Sequence, residues 1–537
     1  AVSPWLADND QSIPANTPAS QDIQLTTLRC EYRTDPLGID VPHPRLSWTL
    51  ESSQRGQRSV AYQILVASTR KNLDQDIGDA WDSGRVDSSQ TAHIFYAGVP
   101  LQSDRTYYWK VRVWDREDRV TPWSEPAFWT TGLLQQRDWR AKWIGLDRAV
   151  GNDKVDTLRR RLSARMLRHE FMISKKIKRA TAFVCGLGLF EWYLNGEKIG
   201  DQVLAPALSE YDQRAYYMTF DVTAQLKPAQ NAVAVQLGNG RYFAPRYEKQ
   251  TRTFGFPKLL LQINLLYEDG SRETIASDAS WKITADGPIV ANNEYDGETY
   301  DSRKELPGWT SPGFDDSAWR YAQVVKKPGK RLSSQLIEPI KITQTLNPIS
   351  LASPQPGATI FDMGQNMVGW AQLRVSGPRG TRVSLRFAET LRQDGTLSLD
   401  NLRTCEVTDT YILKGDGLEV WEPRFTYHGF RYVELRGFPG TPDLSTLSGR
   451  VVHDNLKPAG AFSCSNPLIN RIYQNALWGI RGNYRSIPTD CPQRDERQGW
   501  LGDRSAESRG ESFLFDVAGF YNKWLIDIQD ATSSNGS

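Results

Sequence analysis

The chain has 537 residues, too many for one hydrophobic core, so three to five domains are expected. Its 65 Lys and Arg against 63 Asp and Glu leave a net charge of +2, which argues against a nucleic-acid or membrane-surface partner. No apolar run approaches the ~20 residues of a membrane-spanning helix, and five scattered cysteines without C-x-x-C spacing suggest neither a zinc site nor a disulfide framework.

Residues 1–23 are a polar, Pro-containing tail of linker type. An Ala start followed by a loose tail is the form of an exported protein after signal cleavage, so a secreted or periplasmic location is expected and a cytoplasmic one stays open. Residues 24–134 read as all-β. Alternating runs at Leu46–Leu50, Ala61–Val66 and Tyr107–Trp114 are separated by turn-forming residues. This aromatic-rich pattern resembles a fibronectin III or immunoglobulin-like sandwich.

Residues 135–345 continue in β. Asn195-Gly196 between two apolar runs is a strong hairpin signal. Further strands are expected at Tyr216–Val222, Ala232–Leu237 and Leu259–Tyr267, and Trp309–Trp319 resembles the end of a galactose-binding-like jelly roll. Such modules often bind sugar, so Tyr211, Asp212 and Arg214 are candidates for a secondary sugar contact, though an ordinary turn explains them too. Asn292, Asn293, Glu294 and Asp296 could bind calcium. Solvated turns account for the same residues, no regular ligand loop is visible, and no metal is assigned.

Residues 346–455 form a further β-sandwich. Phe361–Asn366 opens it, Val383–Glu389 alternates with period 2, and Phe425–Leu435 reads as an aromatic strand pair. Asn366, His428 and Arg431 could face a cleft, although a lone His such as His428 is more often a satisfied core residue.

From 456 to 537 the period becomes helical. Asn466 can cap, Pro467 suits the first helical position, and Ile469, Ile472, Tyr473, Ala476 and Ile480 make one stripe. A second helix is expected from about Ala506 to Gln529, with Phe513, Val517, Phe520, Trp524 and Ile528 on one face. Between them lies DCPQRDERQGWLGD, Asp490–Asp503. It holds four carboxylates (Asp490, Asp495, Glu496, Asp503), two guanidiniums (Arg494, Arg497) and Trp500 between two glycines. Pro and Gly imply a shaped loop, and Trp supplies a flat apolar platform. Carboxylates, Arg and an aromatic plate together equip a sugar site. Cys491 lies within the loop with no His close in sequence, so a structural role is expected for it.

Asp490-Cys491-Pro492-Gln493-Arg494-Asp495-Glu496-Arg497, followed by Gly499-Trp500 and Gly502-Asp503, resembles the signature of the α-L-rhamnosidases of glycoside hydrolase family 78. The resemblance extends over the β modules in the same order. It implies a mostly β multidomain chain followed by the first helices of an (α/α)6 catalytic barrel. It further implies an inverting hydrolase of terminal α-L-rhamnose in oligosaccharides or plant glycosides, with Glu496 as general acid. Asp490, Arg494, Trp500 and Asp503 would bind the sugar. No cofactor is implied.

On the residues alone Asp495 is an alternative acid, and the resemblance selects Glu496. Burial beside Trp500 and negative neighbours would raise the pKa of Glu496. The general base is expected in a later barrel segment that these residues do not include, either missing or carried by a separate polypeptide. A non-catalytic carbohydrate-binding fragment and a barrel hydrolase for another hexoside are the alternatives.

Overall fold

The computed structural model describes residues 23–150, 153, 161–245 and 253–532; apart from Ile23, the expected N-terminal tail lies outside them. The chain divides at Leu134/Gln135 into two compact units. In the first, Gln24–Cys30, Arg45–Glu51 and Ile94–Phe95 make one sheet. Trp81–Asp82, Ser59–Ala67, Thr106–Asp115 and Ala127–Thr130 make the other. The three expected strands fall inside these elements. A short helix, α1 (Arg70–Asp74), is capped by Thr69.

The second unit is mostly β and ends in helices. Two sheets enclose a core that includes Trp192, Leu194, Val235, Leu261, Ile263 and Trp281. Asn195 and Gly196, at φ 52° and 90°, turn Leu189–Leu194 into Glu197–Lys198. Positive φ at both central residues matches the right-handed twist of the flanking strands, which is why Asn-Gly stands there.

A ten-stranded sheet follows. It takes strands from before residue 346: Ile289–Asn293 and Gly297–Asp301 join it through parallel pairing of Thr299 with Thr410. Its spine is the 19-residue strand Ala358–Ser376, which pairs with His428–Arg436 and Leu447–Asp454. The expected strand pair at 425–435 is one strand, His428–Arg436. Gly429 lies within this strand with Pro492 against it: a Cβ there would lie 2.7 Å from Pro492 Cγ.

Three helices close the chain: α2 (Pro467–Gly482), α3 (Leu501–Leu514) and α4 (Ala518–Ala531). Asn466 caps α2 by accepting from Leu468 N and Ile469 N. The single helix expected over 506–529 is two. Phe515 is extended, and its ring is buried with Leu456, Tyr484 and Phe520. That insertion breaks the stripe: Phe513 is 66% exposed, whereas Val517, Phe520 and Trp524 are buried. The α4 helix is fixed to the preceding β region. Arg214 Nε donates to Asp530 Oδ2 at 2.6 Å, and the buried Lys523 ammonium donates to Leu208 O.

Candidate active site

The segment between α2 and α3 is tied down at each end. Asp490 N donates to Gln498 O and Gln498 N to Asp490 Oδ1, at 2.9 and 2.6 Å, closing the loop on itself. Arg504, buried in the first turn of α3, donates to Thr489 O at 2.6 Å and pairs with Glu511. Inside the loop Arg497 is fully buried. Its guanidinium donates to the carbonyls of Arg494 (2.8 Å), Glu294 (2.8 Å), Tyr427 (2.9 Å) and Gln493 (3.4 Å). It also lies 4.6 Å over the Tyr427 ring. One planar fork thus joins the loop to two stretches of the ten-stranded sheet region behind it.

Just before this clamp lie Asp495, which is buried, and Glu496, which is partly exposed. The Asp495 carboxylate takes a hydrogen bond from Thr404. Glu496 presents its carboxyl at the surface with a side chain 14% exposed. Glu496 Oε1 accepts from the indole N–H of Trp500 at 3.1 Å. Oε2 meets Arg494 at 3.0 Å and Arg403 at 2.9 Å. Arg494 also reaches Asp490 Oδ2, at 3.2 Å. Oxygens of Asp490 and Glu496 and the sulfur of Cys491 lie within 4.8 Å of one another. Trp500, 51% exposed, stands beside this cluster at the start of α3 with its ring open for stacking.

The expected rise in the pKa of Glu496 is corrected by this geometry. Burial does push it up. The Trp500 hydrogen bond and the charges of Arg403 and Arg494 outweigh burial, and the pKa falls below the ordinary glutamate value. Negative neighbours are expected to add to a rise, but the nearby Asp490 is itself paired with Arg494. Burial and a hydrogen bond to Asp490 push the Cys491 thiol up to about 11, so it is protonated and unsuited to metal or nucleophilic work. With two guanidiniums on the carboxylates, the cluster is already charge-compensated without a cation.

Asp490, Arg494, Glu496 and Trp500 are therefore brought together. Asp503 is not: it is exposed in the first turn of α3, where its charge favours the helix N-terminus, and it makes no hydrogen bond or ion pair to the cluster among the described residues. Tyr211 is buried edge-on to Tyr242 and Phe254, at 5.2 and 5.1 Å. Asp212 remains half-buried in a turn, and Arg214 is engaged by Asp530 and Ser333. Tyr211 and Arg214 are thus held by structural partners, not presented to a sugar.

Asn292, Asn293, Glu294 and Asp296 are buried, not solvated. Asn293 Oδ1 accepts from Tyr295 N and Asp296 N, and Asp296 Oδ1 from Glu406 N. Burial raises the pKa of Glu294, but Arg241, Arg485 and Arg497 more than offset it and hold the carboxyl ionised. His428 is a core residue, stacked 4.2 Å from Phe387 and bonded to Asp409. Arg431 pairs with Asp362, and Asn366 with Glu389. A cavity of about 300 Å³ adjoins the loop at Gln498 and Gly499, lined also by Arg241, Phe254 and Trp524. It does not include Glu496 and is separate from the carboxylate cluster. The residue that sequence reading missed is Arg403. Only its side chain's arrival at Glu496 singles it out, and no local motif marks it.

Four stretches match protein families in order. Residues 25–135 match a Rha78A-like N-terminal immunoglobulin domain, and 175–344 an α-L-rhamnosidase N-terminal domain. Residues 352–453 match a bacterial α-L-rhamnosidase concanavalin-like domain, and 457–537 a bacterial α-L-rhamnosidase six-hairpin glycosidase domain. An α-L-rhamnosidase of Streptomyces avermitilis is 33% identical over 96% of this chain and 65% of its own length. One of Formosa agariphila is 36% identical over 93% and 54%. Among solved structures, an α-L-rhamnosidase from Dictyoglumus thermophilum superposes with a TM-score of 0.91 at 44% identity, over 97% of this chain and 59% of that one. The Streptomyces avermitilis α-L-rhamnosidase complexed with L-rhamnose superposes with a TM-score of 0.90 at 33% identity, over 96% and 65%. The chain spans 54% to 65% of the length of these relatives.

Proposed function

Since the chain belongs to the α-L-rhamnosidase family, we propose that it forms the acid half of a glycosidase that removes terminal non-reducing α-L-rhamnose from rhamnosides with inversion. The observation that carries this reading is the partly exposed Glu496 carboxyl, held by the indole N–H of Trp500 and by Arg494, which also pairs with Asp490. Glu496 protonates the departing glycosidic oxygen. Trp500 covers an apolar sugar face, while Arg494 and Asp490 hold hydroxyls.

An inverting mechanism needs a second carboxylate ~6.5–9.5 Å from the acid, to activate water on the far face of the ring. Asp490 does not fill that role. It lies too close, and its two oxygens are already taken by Gln498 N and Arg494. On this reading the base is supplied from outside these residues, in the same or another polypeptide.

The test is Glu496→Gln in protein carrying its complete barrel, assayed on aryl α-L-rhamnoside, with aryl α-glucoside and α-mannoside as controls. Loss of about 10²–10⁴ in kcat with rhamnose binding kept supports the acid. Unchanged hydrolysis refutes it. A preference for another glycoside would retain the enzyme and change its sugar.

A further inference from the structure

The carboxyl of Glu496 is not held by its own loop alone. Arg403 belongs to the ten-stranded sheet region, on the connection between Arg382–Ala388 and Thr408–Ile412, and its Nη1 lies 2.9 Å from Glu496 Oε2. The connection is anchored on both sides of Arg403. Leu402, Cys405 and Val407 are buried, and Thr404 donates to Asp495. Arg403 itself has φ 56° and ψ −116°. That is the first central position of a type II′ turn, which glycine occupies freely and an arginine only at a cost of about 1–3 kcal/mol. Strain at the residue that reaches Glu496 from outside its own loop points to work done by its side chain.

We propose that Arg403 is a positioning residue for Glu496: from the β region it clamps the acid's carboxyl in the empty site and is released from it when the sugar enters. The proposal rests on Glu496 being the acid. The Arg403 side chain is 44% exposed, so it has room to swing away, whereas Arg494 is tied to Asp490 as well. The groups facing Glu496 are Arg403 from this connection, with Arg494, Asp490, Cys491 and the Trp500 indole from its own loop. Of the two cations among them, only Arg403 belongs to another element. With Arg403 in place the carboxylate form is favoured. Its departure leaves one cation fewer, and the carboxyl takes up the proton it must donate.

The Trp500 indole N–H, bonded to Glu496 Oε1, is a built-in reporter. Its ¹H–¹⁵N resonance, assigned by its loss in Trp500→Phe, is followed against pH in the wild type, Arg403→Asn and Arg403→Lys. Asn tolerates positive φ, so Arg403→Asn removes the charge at little backbone cost. The midpoint due to Glu496 is identified by its absence in Glu496→Gln. It should rise by about one pH unit in Arg403→Asn and return most of the way in Arg403→Lys. In the protein with its complete barrel, the alkaline limb of kcat/KM should move up by the same amount. A general loosening of the site would lower the whole profile without moving the limb. An unchanged midpoint and limb in Arg403→Asn overturns the proposal. If the midpoint moves but Glu496→Gln stays fully active, the clamp stands and the assignment of Glu496 as acid falls.

Discussion

Arg497 offers the severest test of how the site is built. Replacing it by Ala removes a fully buried guanidinium that donates to four carbonyls, those of Arg494, Glu294, Tyr427 and Gln493. Hydrogen bonds from a charged group contribute about 1.5–3 kcal/mol each, but four on one side chain do not add in full, and desolvating the cation offsets part of the gain. Stranding the carbonyls and emptying the space over Tyr427 should cost about 3–5 kcal/mol.

Arg497→Lys keeps the charge and loses the fork. A single ammonium cannot face Arg494 O on one side and both Glu294 O and Tyr427 O on the other, so about 2 kcal/mol should be lost. The loss is local, because α3 and α4 keep their own anchors. Native-state hydrogen exchange and limited proteolysis across residues 489–500 measure it, with the Trp500 indole resonance as a site reporter. A loss under about 1 kcal/mol in Arg497→Ala, with the loop protected as before, would show that the clamp does not hold the acid in place.

Three further predictions follow from the same coordinates. Gly429→Ala sets a Cβ 2.7 Å from Pro492 Cγ and 3.2 Å from Gln493 Cβ, so it should destabilise by about 1–3 kcal/mol in thermal melts and displace the loop; an unaltered melt would contradict the close approach. On the proposed role of Glu496 as acid, its lowered pKa means that the protonated form is lost early as pH rises. The kcat/KM profile should therefore fall on the alkaline side below the ordinary carboxylate range, and a profile still flat at neutral pH would refute it.

Glu298 is buried near Asp409 with its pKa pushed up, first by burial, to about 8. Between ~4.3 and that value the unfolded chain has released this proton and the folded chain has not. Stability is thus fullest below the unfolded pKa and drains as pH rises, with a limiting slope of about 1.4 kcal/mol per pH unit. Glu298→Gln should flatten that dependence, seen as a mutant-minus-wild-type difference in Tm that grows from pH 5 to pH 8; a constant difference would refute it.

What could be read from the residues alone was local. Period-2 runs placed the strands of the first unit, Asn195-Gly196 marked a hairpin of the second, Asn466-Pro467 marked the start of α2, and the dense charged stretch marked the loop that carries Glu496. Each signal depends on neighbours within one turn or one strand, so the chain states it directly. Where the stripe from Phe513 to Ile528 seemed to continue, tertiary packing decided otherwise, because burying Phe515 beside Tyr484 and Phe520 outweighed one more helical turn. The protonation of Glu496 was decided in the same way. Its counter-ion Arg403 comes from a connection whose next residue, Thr404, lies 91 positions from its own partner in the loop. Coulomb interactions act over a few ångströms of space and are blind to order along the chain. The charged loop could be located from its neighbours in sequence, but the protonation of Glu496 depends on which distant cations the fold brings to it.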